Sequence, residues 1–290
     1  RQSRAKYEMS WDSIIGSDHV RATIERKQKI EKIYGGQTPR DPHAGPTCEG
    51  ILLYGPPGTG KTSLARAIAS DPSTMAFLTP PAALFADMYQ GEGEKMLAAC
   101  FRAGRTLTPD DEYEPQEHNN GRVVIFLDEA DGILGDPSRG GGVTKASETT
   151  MRRIGTFLTE TDGVPPGAGS SERMNDILVV AATNRPGDLA GNVLRRFETQ
   201  IEVPVPSPDN RQRLIEFLLQ TKFLHRVSDS FIVETLVPRT SGYSNAAISK
   251  LLSDTVKVMF DHTFNGDFTQ YSLWEVAKCD GMRSKPYDLV

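Results

Sequence analysis

The sequence predicts an α/β protein: a parallel sheet flanked by helices, followed by a small, mainly helical domain. Three observations carry this expectation. The runs "VVIFL" (123–127) and "ILVVAA" (177–182) are apolar on both faces and separated by helical stretches, as strands of a parallel sheet covered on each side must be. A third apolar run, "GILLYG" (50–55), passes through a Gly/Pro loop straight into the helical "SLARAIAS" (63–70). Beyond "PVPSPDN" (204–210) the pattern turns helical, in "RQRLIEFLLQTKF" (211–223) and "SNAAISKLLSDTVKVMF" (244–260).

Taken in order, "SDHVRATIERKQKIEKIYGG" (17–36) opens the chain as a helix, with Ser17 or Asp18 as N-cap and glycines at its stop. A polar, Pro-rich loop leads to the first strand. Residues 107–121, with five acids in "DDEYEPQE", and residues 164–176, "VPPGAGSSERMND", read as solvated loop insertions. The expected division is an α/β nucleotide-binding domain over 1–206 and a helical domain over 207–290.

With 290 residues, 38% hydrophobic and 24% charged, the chain has the composition of a soluble globular protein of one large or two modest domains. There is no apolar run long enough to cross a bilayer and no signal-peptide pattern. The start at Arg1 rather than Met suggests an excised fragment, with membrane contact expected only through segments outside it. Cys48, Cys100 and Cys279 form neither a disulfide framework nor a zinc pattern, which suits a reducing, cytoplasmic setting. A net charge of −5 argues against direct nucleic-acid binding, which wants clustered Lys and Arg.

"GPPGTGKT" (55–62) fits G-x-x-x-x-G-K-[ST] between a strand and a helix, the context a phosphate-binding loop needs. Glycines let the backbone curl with its N–H groups inward, and a helix N-terminus adds favourable dipole. Pro57, Gly58, Thr59, Gly60, Lys61, Thr62 and Ser63 are the expected nucleotide contacts, with Lys61 reaching the β- and γ-phosphates and Thr62 ligating Mg²⁺. The pattern predicts a P-loop nucleoside triphosphatase fold. Ligands of parallel α/β sheets gather at the carboxyl ends of strands, where "VVIFLDEAD" (123–131) places two adjacent carboxylates. Asp128 suits Mg²⁺ through a water, and Glu129 suits polarising the attacking water. A further strand ends in "AATN", and Asn184 there could orient the same water. As solvated chemistry these are an acidic turn and an Asn turn former; beside the phosphate loop they form a hydrolytic set.

Asp128-Glu129-Ala130-Asp131 also spells the signature of the DEAD-box helicases. Those need two similar α/β domains, and this chain has room for one and lacks a downstream Ser-Ala-Thr, so that reading is set aside. Over roughly 11–255 the chain resembles the AAA ATPase family, in "WDSIIG", "GILLYGPPGTGKTSLARAIA", "YQGEGEK", "VIFLDEAD", "TMRRIGTFLTETDG", "VVAATNRP" and "LRRFETQIEVPVPSPDNR". The resemblance implies ATP and Mg²⁺ as cofactors, and a homohexamer or hetero-ring with its ATP sites between subunits. Ile15 and Gly16 stand at the family's adenine-contacting position. Arg195 and Arg196 match its arginine fingers, which reach a neighbour's γ-phosphate. Their run, lacking a Pro-Gly spacer, resembles the branch holding katanin, spastin, fidgetin and the ESCRT-disassembling ATPases. In the helical lid the family carries Gly and Asp where this chain has Asn245 and Ala247.

Tyr89 lies on a glycine-rich, charged stretch with little apolar periodicity to bury it. The stretch matching Tyr89, Gln90 and Gly91 lines the central pore of the family's ring, where an amphipathic aromatic can wedge against many polypeptide side chains. The leading functional reading is a ring motor that hydrolyses ATP to remodel, unfold or disassemble a protein substrate. The alternative is a nucleotide-gated scaffold that assembles without pulling.

Overall fold

Apolar runs with β-branched residues and no prolines form strands wherever both faces find cover, and the described residues hold five strands, not all of them such runs. They are β1 (Cys48–Tyr54), β2 (Thr74–Leu78), β3 (Arg122–Leu127), β4 (Asp176–Thr183) and β5 (Thr199–Glu202). The computed structural model describes residues 9–34, 48–72, 74–82, 85, 91–107, 122–140, 145–162, 176–223 and 232–264. The helices are α1 (Asp18–Tyr34), α2 (Lys61–Ala69), α3 (Glu92–Thr106), α4 (Lys145–Thr161), α5 (Pro208–Leu218) and α6 (Asn245–Phe264), with shorter helical turns between. Among the described residues no helix is long and apolar enough to cross a membrane.

The sheet is parallel throughout in the order β2-β3-β4-β1-β5. Alternate residues serve opposite faces. Leu52, Ile125, Leu127, Val179 and Ala181 face a core completed by Leu97 and Phe101 of α3 and by Ile154 and Phe157 of α4. Phe157 lies between Phe101, ring centroid at 6.3 Å, and Phe197 at 5.8 Å. On the other face Ile24 of α1, Ile51, Ile68 of α2 and Leu178 line one small cavity.

The three central strands match the three apolar runs. The edge strands do not stand out in the sequence: β5 buries only Ile201 of its four residues, so hydrogen bonding to β1 rather than apolar content makes it a strand. Residue 176, expected at the end of a loop, is the first residue of β4; the rest of that insertion, 163–175, lies outside the described residues, as do 108–121 of the other. The helix expected over 211–223 starts earlier, at Pro208. Ser207 caps it by accepting a hydrogen bond from the Asn210 N–H at 3.3 Å, with proline at the first helical position. It passes into a π-turn at Leu219–Phe223.

The chain forms two compact units: Arg1–Ser13, His19–Gly55 and Lys61–Val203 in one, and Ile14–Asp18, Pro56–Gly60 and Pro204–Val290 in the other. The break falls at Val203, close to the expected 206. Residues 56–60 of the phosphate loop and the turn at Gly16 group with the helical unit. That unit has its own core, in which Ile215, Leu218, Ile232, Leu236, Ile248 and Leu252 are buried.

Candidate nucleotide site

β1 ends at Tyr54 and α2 begins at Lys61, so the glycine-rich segment is the whole connection. Gly58 (φ 75°) and Gly60 (φ 99°) adopt left-handed backbone that a Cβ would strain. In the first unit Lys61 is buried, 8% exposed, and its ammonium donates to the Gly55 carbonyl at 2.7 Å. Desolvation lowers its pKa from 10.5, against the opposing pull of Asp128 and Asp131. The Thr62 hydroxyl donates to Asp128 Oδ2 at 3.0 Å. Ser63 follows on α2, half-buried.

The strand order explains why these groups meet. β4 lies between β1 and β3, so its carboxyl end stands between the phosphate loop and the carboxylates that follow β3. Asp128 accepts the N–H of Glu129 at 3.1 Å through Oδ1, leaving Oδ2 for Thr62. Glu129 is exposed and, at φ 50° and ψ 48°, is the one non-glycine residue of positive φ among the described residues. Such a conformation persists where surrounding structure enforces it, commonly at functional sites. Asn184 follows β4 and is exposed.

Two residues the sequence reading left out hold this end of the sheet. The Thr183 hydroxyl, 1% exposed, donates to Asp131 Oδ1 at 2.6 Å and accepts the Arg185 N–H at 3.0 Å. The signal was present: Asp131 belongs to the "DEAD" string and Thr183 precedes Asn184.

The arginines lie elsewhere. The Arg196 carbonyl stands 2.2 Å from where a Gly50 Cβ would be, at the start of β1. Gly50 and Gly55 are separated by five residues of extended chain, roughly 16 Å at 3.3 Å per residue, beyond the reach of an arginine side chain. Arg196 pairs with Asp162, Nη2 to Oδ1, at 2.5 Å. Arg195 is exposed, and both arginines line a cavity with Glu49, Thr161 and Glu198.

In the helical unit, the N–H of Ala246 donates to the Gly58 carbonyl at 3.0 Å, and Asn245 Nδ2 donates to the Thr59 carbonyl at 3.1 Å. The Thr59 hydroxyl turns back to the Pro56 carbonyl at 3.0 Å, while Pro57 is exposed. Gly16 (φ 83°) packs against Asn210, and Ile15 before it is half-buried. Gly91 is left-handed at φ 90°, immediately before α3. Tyr89 and Gln90 lie outside the described residues.

Lys61, Thr62 and Asp128 at the carboxyl end of a parallel sheet, after a glycine loop, define a P-loop nucleotide-binding protein. The donor set suits Mg²⁺, which prefers a few hard oxygens supplemented by phosphates over an all-protein cage. No cluster of three or more His, Cys, Asp or Glu that could hold a metal occurs among the described residues.

Residues 51–205 match the family described as "ATPase family associated with various cellular activities (AAA)", and the chain belongs to that family. It is 33% identical over 251 residues to spastin of Anopheles gambiae and 32% over 252 residues to spastin of Drosophila melanogaster, each alignment covering 85% of this chain. It spans 26% and 29% of the length of those relatives. The crystal structure of the FIGL-1 AAA domain in complex with ADP superposes with a TM-score of 0.63 at 23% identity, covering 94% of this chain and 84% of that one. The identity to spastin supports the katanin, spastin and fidgetin branch, and the likeness to the FIGL-1 domain shows the fold.

Proposed function

We propose that this domain hydrolyses ATP with Mg²⁺ as one subunit of a ring, each site completed by a neighbouring copy, and that the ring uses hydrolysis to remodel a polypeptide. The observation that carries the reading is a division within one unit. Lys61, Thr62, Asp128, Glu129 and Asn184 gather at one end of the sheet, and Arg196 is held at the opposite end of β1.

Thr62 and Asp128 would hold the metal, which when bound neutralises charge on the phosphate oxygens. Lys61 exchanges the Gly55 carbonyl for phosphate oxygens, a stronger, charge-assisted partner. Glu129, presented by its left-handed backbone, accepts a hydrogen bond from the attacking water, and Asn184 orients that water. Phosphoryl transfer is carried mostly by positioning and charge stabilisation, and a guanidinium at the γ-phosphate belongs to that chemistry. Arg196, with Arg195 beside it, reaches only a site on another copy, and does so by leaving Asp162.

A polypeptide as the remodelled partner is supported by family membership. Tyr89, Gln90 and Gly91 are assigned to gripping it, with the left-handed Gly91 allowing the segment to change course at little steric cost.

The test is complementation. Arg196→Ala and Glu129→Gln subunits are each expected to be nearly inactive, and their mixture is expected to recover turnover, because some sites then hold an intact Glu129 and a neighbour's intact Arg196. A mixture no more active than its components, or a fully active monomer at high dilution, overturns the reading.

A further inference from the structure

Arg105, the last residue but one of α3, is buried, 8% exposed, and the nucleotide site makes no use of it. Burying a guanidinium is costly unless its donors find partners. Here Nη1 donates to Glu160 Oε2 and Nη2 to the Glu160 carbonyl at 2.5 Å. The Cζ atom stands over the Phe101 ring, 5.8 Å from its centroid, within cation–π range. Glu160 belongs to the last turn of α4, whose carbonyls have no partner inside the helix. Arg105 therefore caps that helix end, and its charge complements the helix dipole there.

Two residues further on stands Asp162. Its N–H donates to the Leu158 carbonyl at 2.9 Å, and its carboxylate holds Arg196. A carbonyl fixed by a donor fixes its peptide plane, so the clamp on Glu160 sets the peptide that leads through Thr161 to Asp162. Packing leaves room for movement there. A cavity of about 120 Å³ lies beside Arg195 and Arg196, lined also by Cys48 and Thr161, and a void withholds contacts from the atoms around it. The clamp borders this cavity: burial pushes the Cys48 thiol up to about 12, Arg105 pulls it down, and Glu49 and Glu160 push it up. On the apolar side Phe101, Phe157 and Phe197 meet ring to ring, and Phe197 follows Arg196. α3 thus reaches the arginine segment twice, through these rings and through Arg105.

We propose that Arg105 is a positioning residue for hydrolysis in the neighbouring subunit. By clamping the end of α4 it sets where Asp162 holds Arg196, and so the pose from which Arg196 reaches the neighbour's γ-phosphate. The proposal rests on the ring reading above. Arg105 lies near Cys48, the first residue of β1, whereas Lys61 follows the far end of that strand. Loss of Arg105 is therefore felt in the next subunit's site and spares its own. A residue that merely stabilised the fold would weaken both.

The test mixes variant subunits in pairs and measures phosphate release. Arg105→Met alone should lower turnover about a hundredfold, the cost of misplacing a reacting group by roughly 1 Å, while its ADP affinity by calorimetry stays at the parent's value. Mixed with Glu129→Gln it should recover turnover, because some sites then hold an intact Glu129 and receive a well-held Arg196. Mixed with Arg196→Ala it should stay as inactive as its components, because no site receives a well-placed arginine. Arg105→Lys keeps the charge but lacks the planar fork that meets both acceptors. It should show the same pairing pattern with a smaller loss, and it decides the outcome if Arg105→Met melts too low to assay. Recovery with Arg196→Ala, recovery with neither partner, or parent-like turnover of Arg105→Met alone overturns the proposal. If Arg196→Ala and Glu129→Gln fail to recover turnover with each other, the ring reading itself falls, so the two failures are distinct.

Discussion

Replacing Glu129 by glycine should make the protein more stable and catalytically dead. Glu129 holds φ 50° and ψ 48°, the left-handed region, which costs an L-residue with a Cβ about 1–2 kcal/mol. Glycine removes that cost but gains freedom in the unfolded chain, worth about 0.5–1 kcal/mol in the other direction. Glu129 is exposed, so its side chain adds little packing to the balance. The net runs from about zero to a gain of about 1.5 kcal/mol, centred near 0.75, which for a unit of this size raises the melting temperature by up to roughly 6 °C. Turnover should fall by orders of magnitude, as expected when a water-positioning group is lost. Glu129→Ala is the control, since it loses the carboxylate and keeps the backbone cost, and its melting temperature should stay near the parent's. Thermal melts of nucleotide-free protein and a phosphate-release assay read both effects. A Glu129→Gly protein that melts several degrees below the parent would refute the claim that this backbone is strained for function, and one that hydrolyses ATP normally would refute the role of the carboxylate.

Thr183→Val keeps the side-chain shape but removes the donor to Asp131 and the acceptor for the Arg185 N–H; with both partners left short, unfolding by urea should show a loss of about 1–3 kcal/mol, and turnover should fall with it. Lys61 has a folded-state pKa below its unfolded value of 10.5, chiefly through desolvation, so the unfolded chain binds more protons between those two values and stability from this group rises with pH across that window. Lys61→Met should flatten that alkaline slope in denaturation curves and abolish nucleotide binding; an unchanged slope would show that the ammonium is not desolvated.

What could be read from residues alone was whatever depends on near neighbours in the chain. The glycine loop, the Thr62 hydroxyl beside Lys61 and the paired carboxylates after "VVIFL" are local patterns, since each needs only a strand, a turn or a helix start within a few residues. The central strands declared themselves because burial on both faces demands unbroken apolar runs. β5 did not, because an edge strand is made by hydrogen bonds to β1 and only Ile201 of it is buried. The relations that decide function were set by the tertiary structure. Strand order puts β4 between β1 and β3 and so brings Thr183 to Asp131, 52 positions away. Crossing back along the sheet puts Arg196 beside Gly50, out of reach of its own phosphate loop. The fastening of Thr59 by Asn245 has the same origin: a hydrogen bond between residues far apart in the chain is specified by how the chain packs, and no local propensity encodes it.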